Sequence, residues 1–379
     1  MQIEEITARY LQADLPAPMR SRGAPGFQVH HHTGSERQRL ALIELLGADG
    51  ARGFTLLPGT RDAIEPLIDD LARPALRAAG SASLFALRDA LIKTGGERGL
   101  APLRLASFVS ALEAALWDLQ GKSLGRPIFA LLGGAGDRAP IYAGGGSLCF
   151  APPEELVKEA RRYVAQGFRA MKIKIGHGPQ EDAALVRAIR QAVAPDIELM
   201  VDANCSYDLD SALRLLPDLA ALGVIWFEEP LPRGEREGYR RLRGASPVKI
   251  AGGEGCFTLT RVRELLSEEM VDILQPDMGL LGLSSWLAIA EMARETGVQV
   301  TPHVCNSALG LALALHLQLA IANGVRQEFE TFDNPFVREI FNEPWQIEDG
   351  CCLLPDGPGL GFTPSEDTVA KHLVSPSAQ

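Results

Sequence analysis

The sequence predicts an α/β chain built as a (β/α)8 barrel, with an N-terminal α+β capping domain that the C-terminal tail completes. Three observations carry this. Between about Pro140 and Glu328, short β-rich runs alternate with amphipathic helical stretches, the pattern of a parallel sheet with crossover helices. The runs number eight, enough to close a barrel. The stretch before Leu132 has another rhythm, and 379 residues exceed what one small core needs. The expected division is a capping domain over 1–132, a catalytic barrel over 133–344 and a returning segment over 345–379.

In order, the eight runs are Ile141–Ala143, Ala170–Lys174, Ile197–Ala203, Val224–Phe227, Val248–Gly252, Val271–Gln275, Val298–Thr301 and one at Gln327-Glu328-Phe329. Helical candidates between them include Pro153–Gln166, Glu181–Val193, Ser211–Leu222, Leu259–Ser267, Ser284–Thr296 and Ala308–Ala322. The capping part offers β-like segments near the start and at Leu40–Leu46, then a long helix through Leu112–Leu119. From Trp345 onward, Gly350, Pro355-Asp356-Gly357 and Pro358-Gly359-Leu360-Gly361 read as turns joining short strands.

Composition narrows the class. Lys+Arg 37 against Asp+Glu 48 leaves a net charge of −11, which disfavours a nucleic-acid or anionic-membrane surface. An anionic substrate therefore needs a local positive centre. The opening Met1-Gln2-Ile3-Glu4-Glu5 is acidic where a signal peptide starts basic, and no apolar run approaches the ~18 residues of a membrane span. A cytoplasmic enzyme is expected. Cysteines 149, 205, 256, 305, 351 and 352 form no CxxC zinc pattern and read as reduced thiols, the first four as small packing residues near the barrel mouth.

A barrel places its chemistry at the carboxyl ends of its strands, and here those ends are dense with polar residues. Strand three ends in Asp202-Ala203-Asn204, strand four in Glu228-Glu229-Pro230 and strand five in Gly253-Glu254-Gly255, so that Asp202, Glu228 and Glu254 follow one another at an interval of 26 positions. Any one of these alone is an ordinary loop acid. Three together repel unless a hard divalent cation sits among them, and Mg²⁺ is the natural occupant. Spacing favours Glu228 over Glu229 as the ligand.

Strand two reads Met171-Lys172-Ile173-Lys174, and period two puts both lysines on one face, inward in a closed barrel. Two ammonium groups held close are expected to depress each other's pKa, which suits a lysine to general-base work. Strands six and seven end in Pro276-Asp277 and Pro302-His303, so Asp277 can orient His303 and raise its basicity as a second acid/base.

These residues resemble the mandelate racemase / muconate lactonizing enzyme family of the enolase superfamily, mandelate racemase branch. Lys172, Lys174, Asp202, Asn204, Glu228, Glu254, Asp277 and His303 fall in its order. Ser110–Lys122 with Leu131-Leu132-Gly133-Gly134 is similar to its domain junction, and Pro358-Gly359-Leu360-Gly361 to its closing motif. The resemblance implies the family form (β/α)7β and one Mg²⁺ per site on Asp202, Glu228 and Glu254. It also implies an enediolate formed when the proton α to a carboxylate leaves. It makes Lys174 the base on one face, tuned by Lys172, and His303 with Asp277 the acid/base on the other. Glu328 is the strand-eight acid that bonds the substrate carboxylate, with Glu330 as the competing assignment; Lys172 and Asn204 join it in binding substrate. Dehydration of a sugar acid to a 2-keto-3-deoxy acid is the expected reaction. Racemisation or epimerisation of a 2-hydroxy acid is the alternative, and a catalytically silent metal- or acid-binding barrel the remote one. Dimers or octamers are expected of this branch. Substrate choice is expected from segments near Met19–Thr33 and Arg52–Thr60, read as mobile, and His30-His31-His32 as a solvated loop.

Overall fold

The computed structural model describes residues 1–15, 37–144, 152–305, 307–331 and 333–374. Met19–Thr33, with its three histidines, and Cys149 lie outside the described residues.

The chain opens with an antiparallel meander of β1 (Ile3–Asp14), β2 (Arg37–Gly47) and β3 (Arg52–Pro58). Helical segments follow: α1 (Arg61–Leu67), a wider π turn over Ile68–Ala72, α2 (Arg73–Ala79), α3 (Leu84–Glu97), α4 (Pro102–Ser123) and the short α5 (Ile128–Leu131). In α4 every residue from Phe108 to Leu119 is buried, as expected of a helix covered on all sides. The reading of Arg52–Thr60 as a mobile segment is corrected: it contains β3, whose Gly53–Leu57 are all buried. Gly53 is there because a Cβ would collide with Ala115 O and Leu119 of α4, so the strand lies directly on that helix.

The barrel follows as β4 (Arg138–Gly144), α6 (Pro153–Ala165), β5 (Ala170–Lys174), α7 (Pro179–Ala192), β6 (Glu198–Asp202), α8 (Leu209–Ala221), β7 (Val224–Glu228), α9 (Arg236–Ala245), β8 (Lys249–Gly252), α10 (Leu259–Ser267), β9 (Ile273–Leu274), α11 (Met278–Glu295), β10 (Gln299–Val300), α12 (Ala308–Gln318) and β11 (Gln327–Glu330). Each predicted run holds a strand. Strands β4 to β10 are neighbours in parallel order and β11 pairs with β4. The ring closes where Val300 N donates to Asn323 O at 3.0 Å and Val325 N to Val300 O at 3.0 Å. Only the four-residue α13 (Pro335–Arg338) follows β11, so the architecture is (β/α)7β.

Strand periodicity divides the barrel residues into two cores. Met171, Ile173, Leu199, Val201, Phe227 and Ile250 face the helices. Tyr142, Ala170, Met200, Trp226, Ala251 and Ile273 form a separate interior layer. Two residues further along β5, β6 and β7, on the same inward face, stand Lys172, Asp202 and Glu228. The apolar layer thus floors the polar one.

The tail forms β12 (Gln346–Glu348), β13 (Cys351–Leu353) and α14 (Glu366–His372). It adds β13 antiparallel to β4 of the barrel before it reaches the first sheet. There Arg9 pairs with Glu366 at 2.5 Å and Val374 N donates to Tyr10 O at 2.8 Å. The two junction motifs meet in space: a Cβ on Gly121 would lie 2.5 Å from Gly359 Cα. Buried Asp118 accepts from Phe54 N, Lys122 Nζ and Leu360 N at 3.1, 2.6 and 2.9 Å. Among the described residues no helix is long and apolar enough to cross a membrane.

Candidate active site

The polar layer is assembled by register. Lys174 pairs with Asp202 and Asp202 with Glu228 across β5, β6 and β7. Lys172, Asp202, Glu228 and Glu328 are all buried to within 2 % of full enclosure. Lys172 Nζ lies 2.7 Å from Glu228, 2.9 Å from Glu328 and 3.5 Å from Asp202. Lys174 Nζ donates to Asp202 Oδ2 and, at 2.9 Å, to Asn204 Oδ1. Asn204 turns to that lysine through a left-handed backbone, φ 43°, and its own N–H closes on Asp202 Oδ1 at 2.8 Å.

His303 lies on the other side of the first and last strands. Its Nδ1 is 2.9 Å from Asp277 Oδ2, while Nε2 is 3.3 Å from Glu254 and 3.9 Å from Glu328. Glu328 therefore stands between the lysine cluster and the imidazole, one oxygen toward each. Gly144 makes room for it, since a Cβ there would sit 2.7 Å from Glu328 Cγ. Glu330, two residues on, is buried and in register with Gly144.

Charge balance follows from these contacts. Burial works against the ammonium of Lys172, but Glu228, Glu328, Tyr142 and Asp202 outweigh it and hold its pKa well above the ordinary value. The expected mutual depression of two lysines is thus absent at Lys172, because carboxylates surround it. Burial likewise opposes charge on Asp202 and Glu328, yet Lys174 and Lys172 hold Asp202 low, and Lys172 and His303 hold Glu328 low. Glu228 goes the other way, pushed up by burial and by the charges of Asp202 and Glu328. For His303 burial is outweighed by Glu254, by the bond to Asp277 and by Glu328, and its pKa rises to about 10. The dyad does raise its basicity.

The three expected metal ligands do not converge as they stand: among the described residues no cluster of three His, Cys, Asp or Glu side chains could hold a metal ion. Each is turned to a cation of the chain, Asp202 to Lys174, Glu228 to Lys172, and Glu254 to Arg233 and His303. Their donor chemistry nonetheless suits Mg²⁺, which takes carboxylate oxygens on a rigid frame, and three consecutive strands supply them. Glu229 is excluded from that group. It accepts from Gly253 N and Arg233 Nε at 2.9 Å each.

Sequence reasoning passed over four residues here. Gln275 Nε2 and Trp226 Nε1 donate to Glu228 Oε2 at 3.0 and 3.3 Å. Arg233 bridges Glu229 and Glu254, and Tyr142 underlies Lys172, whose Nζ is 5.6 Å from the ring centroid. Period two on strands β4 and β7 marks Tyr142 and Trp226 as inward-facing; nothing comparable marks Arg233.

Comparison with known proteins matches this geometry to named families. Residues 18–133 match the mandelate racemase / muconate lactonizing enzyme N-terminal domain and residues 155–368 the enolase C-terminal domain-like family. A D-galactarolactone cycloisomerase of Agrobacterium fabrum is 36% identical over 295 residues, 75% of this chain and 77% of that protein. An arabinonate dehydratase of Saccharolobus solfataricus is 33% identical over 86% of this chain and 88% of its own. Among solved structures, L-talarate dehydratase from Polaromonas sp. JS666, complexed with Mg and L-glucarate, superimposes with a TM-score of 0.84. It is 26% identical and covers 99% of this chain and 98% of its own.

Proposed function

This chain belongs to the mandelate racemase / muconate lactonizing enzyme family of the enolase superfamily, and from that premise we propose that it is a Mg²⁺-dependent enzyme that removes the proton α to the carboxylate of a sugar acid and expels the β-oxygen. The observation that carries this is Glu328 set between Lys172 at 2.9 Å and His303 at 3.9 Å. It joins the lysine pair of β5 and the imidazole, which arrive from separate strands, to one carboxyl group facing both.

Asp202, Glu228 and Glu254 would hold Mg²⁺, which when bound would supply positive charge against the charge that builds on the substrate carboxylate. Lys174, freed from Asp202 and in its neutral amine form, takes the α-proton on Nζ and becomes the ammonium. The C–H electron pair becomes a C=C bond and the β C–O bond breaks. His303, in its imidazolium form, gives its Nε2 proton to the departing oxygen while Asp277 holds the ring through Nδ1. Water leaves, and the enol becomes a 2-keto-3-deoxy acid. Lys172 binds the carboxylate end, the ionised Glu328 holds that ammonium in place at 2.9 Å, and Asn204 steadies Lys174.

A second reading differs only in the leaving group. When the β-oxygen belongs to a lactone or anhydro ring it stays attached, so the same elimination yields an isomer and no water. The cycloisomerase relative favours this. The test is incubation with Mg²⁺ and a panel of sugar acids and their lactones, assayed for 2-keto-3-deoxy acids, with Lys174→Ala and His303→Asn as controls. Keto product abolished by both changes supports the reading. Exchange of the α-proton into D2O without keto product would establish racemisation or epimerisation instead, and no exchange on any carboxylate would overturn all three.

A further inference from the structure

Asp182 lies in the first turn of α7, fully buried. Its Oδ2 accepts from three successive backbone N–H groups, Gly176, His177 and Gly178, at 2.8, 3.0 and 3.2 Å, and from the Tyr207 hydroxyl. None of these four donors carries a charge. A run of N–H groups at a helix start is ordinarily a nest for an external anion; here the chain fills it with its own carboxylate. Helix capping alone does not call for this, because an exposed Asp or Ser caps as well, whereas a buried carboxylate is costly, and Asp182 Oδ1 is buried without a hydrogen-bond partner among the described residues.

Position explains the expenditure. Gly176 directly follows Lys174-Ile175, and Gly176 and Gly178 adopt φ 131° and 137°, conformations that L side chains rarely adopt. Tyr207 lies in the loop that follows Asp202 at the end of β6 and carries Asn204 and Cys205. Its N–H is fixed to Pro230 O at 3.1 Å and its ring packs edge-on against Phe227 at 6.0 Å. Burial and Asp182 both raise the phenol's pKa, so it remains a donor. One carboxylate oxygen thus joins the loops after β5 and β6, and Lys174 reaches Asp202 and Asn204 across that gap.

We infer that Asp182 and Tyr207 form a positioning clamp that sets Lys174 against the loop of Asp202 and Asn204. The inference rests on the proposed proton abstraction by Lys174. Small displacements of a base are expensive, with an ångström worth about a hundredfold in rate. The clamp lies on the Lys174 side alone, so its loss acts on one face of the substrate.

The test compares α-proton exchange into D2O for two C2 epimers of one turned-over acid, the faces being assigned with Lys174→Ala and His303→Asn. Tyr207→Phe removes one hydroxyl. Exchange on the Lys174 face is expected to fall ten- to a hundredfold, with the His303 face held within about twofold. Equal slowing of both faces, or of neither, overturns the clamp. Amide hydrogen exchange by mass spectrometry reads it without substrate: in Asp182→Asn, segments 175–178 and 203–207 should lose protection while the rest of the chain keeps it. Unchanged or uniformly lowered protection overturns it too. Should Asp182→Asn not fold, the same measurement on Tyr207→Phe decides. If the wild type exchanges neither epimer, the proposed reaction has failed, and amide exchange still tells whether the two loops are clamped.

Discussion

Lys172 Nζ lies 2.9 Å from Glu328 Oε1, joining strands β5 and β11 over the Tyr142 ring of the strand between them. The same ammonium serves Glu228 at 2.7 Å. Removing it strands several buried carboxylates, which typically costs about 3–5 kcal/mol. Lys172→Met should therefore unfold at markedly lower urea in metal-free buffer and regain much of the loss when Mg²⁺ is added. Equal Mg²⁺ shifts in wild type and variant would show that metal and lysine do not serve the same carboxylates.

The His303–Asp277 bond makes a kinetic prediction. Asp277→Asn preserves shape but removes the charge that orients the imidazole, so kcat should fall about 10²-fold with KM little changed. His303→Asn should fall further, within the 10²–10⁴ range of a lost acid/base. Steady-state rates on the substrate found by the sugar-acid panel check this, and a wild-type kcat for Asp277→Asn would remove the dyad from the mechanism.

His316 predicts an acid limb in stability. It is buried in α12, its Nδ1 accepts from Phe129 N at 3.2 Å, and Nε2 is 3.0 Å from Leu360 O. The ring is therefore neutral with its proton on Nε2, and burial lowers its pKa from 6.5 to about 4. The unfolded chain binds the proton more readily, so this contribution is whole above pH ~6.5 and fades as pH falls toward 4, by about 3 kcal/mol in all. His316→Gln should flatten that part of the curve in denaturation midpoints taken from pH 7 to 4. An undiminished slope would place the acid sensitivity elsewhere.

Glu113 ties the first helical layer to the barrel. From α4 it accepts Arg88 Nε and the Ser284 amide, each at 2.6 Å, capping α11 where that helix breaks at Gly282, φ 73°. Glu113→Ala leaves both donors without their acceptor and should cost about 2 kcal/mol. Glu113→Gln, which can still accept from Ser284, should cost less. Thermal unfolding of the pair checks the order, and the reverse order would mean that the charge, not the cap, is being opposed.

The barrel was legible because its strands are short apolar runs set at even intervals between amphipathic helices, and every run holds a strand. Helix α9 went unnamed because its ten residues carry four arginines and bury only Gly238, Tyr239 and Leu242. The segment Arg52–Thr60 reads as mobile from sequence, whereas its Gly53 marks a strand pressed onto α4. At the site, residues whose role follows from strand position, such as Lys172, Asp202, Glu228 and Glu328, could be named. Asp182 and Arg233 could not. A helix-start acid and a loop arginine look ordinary until the fold brings their partners from elsewhere in the chain.

The last residues of the described tail reach the first strand: Leu373 bridges Leu11, and Val374 donates to Tyr10. During synthesis the edge of β1 is thus made long before the residues that cover it, with more than three hundred residues between them. Contacts that distant in sequence are slow to form, and an unpaired strand edge invites pairing with other chains in the interval. The nascent chain keeps that edge open while all of those residues are made, so its yield in the cell should depend on chaperone supply more than its finished stability suggests.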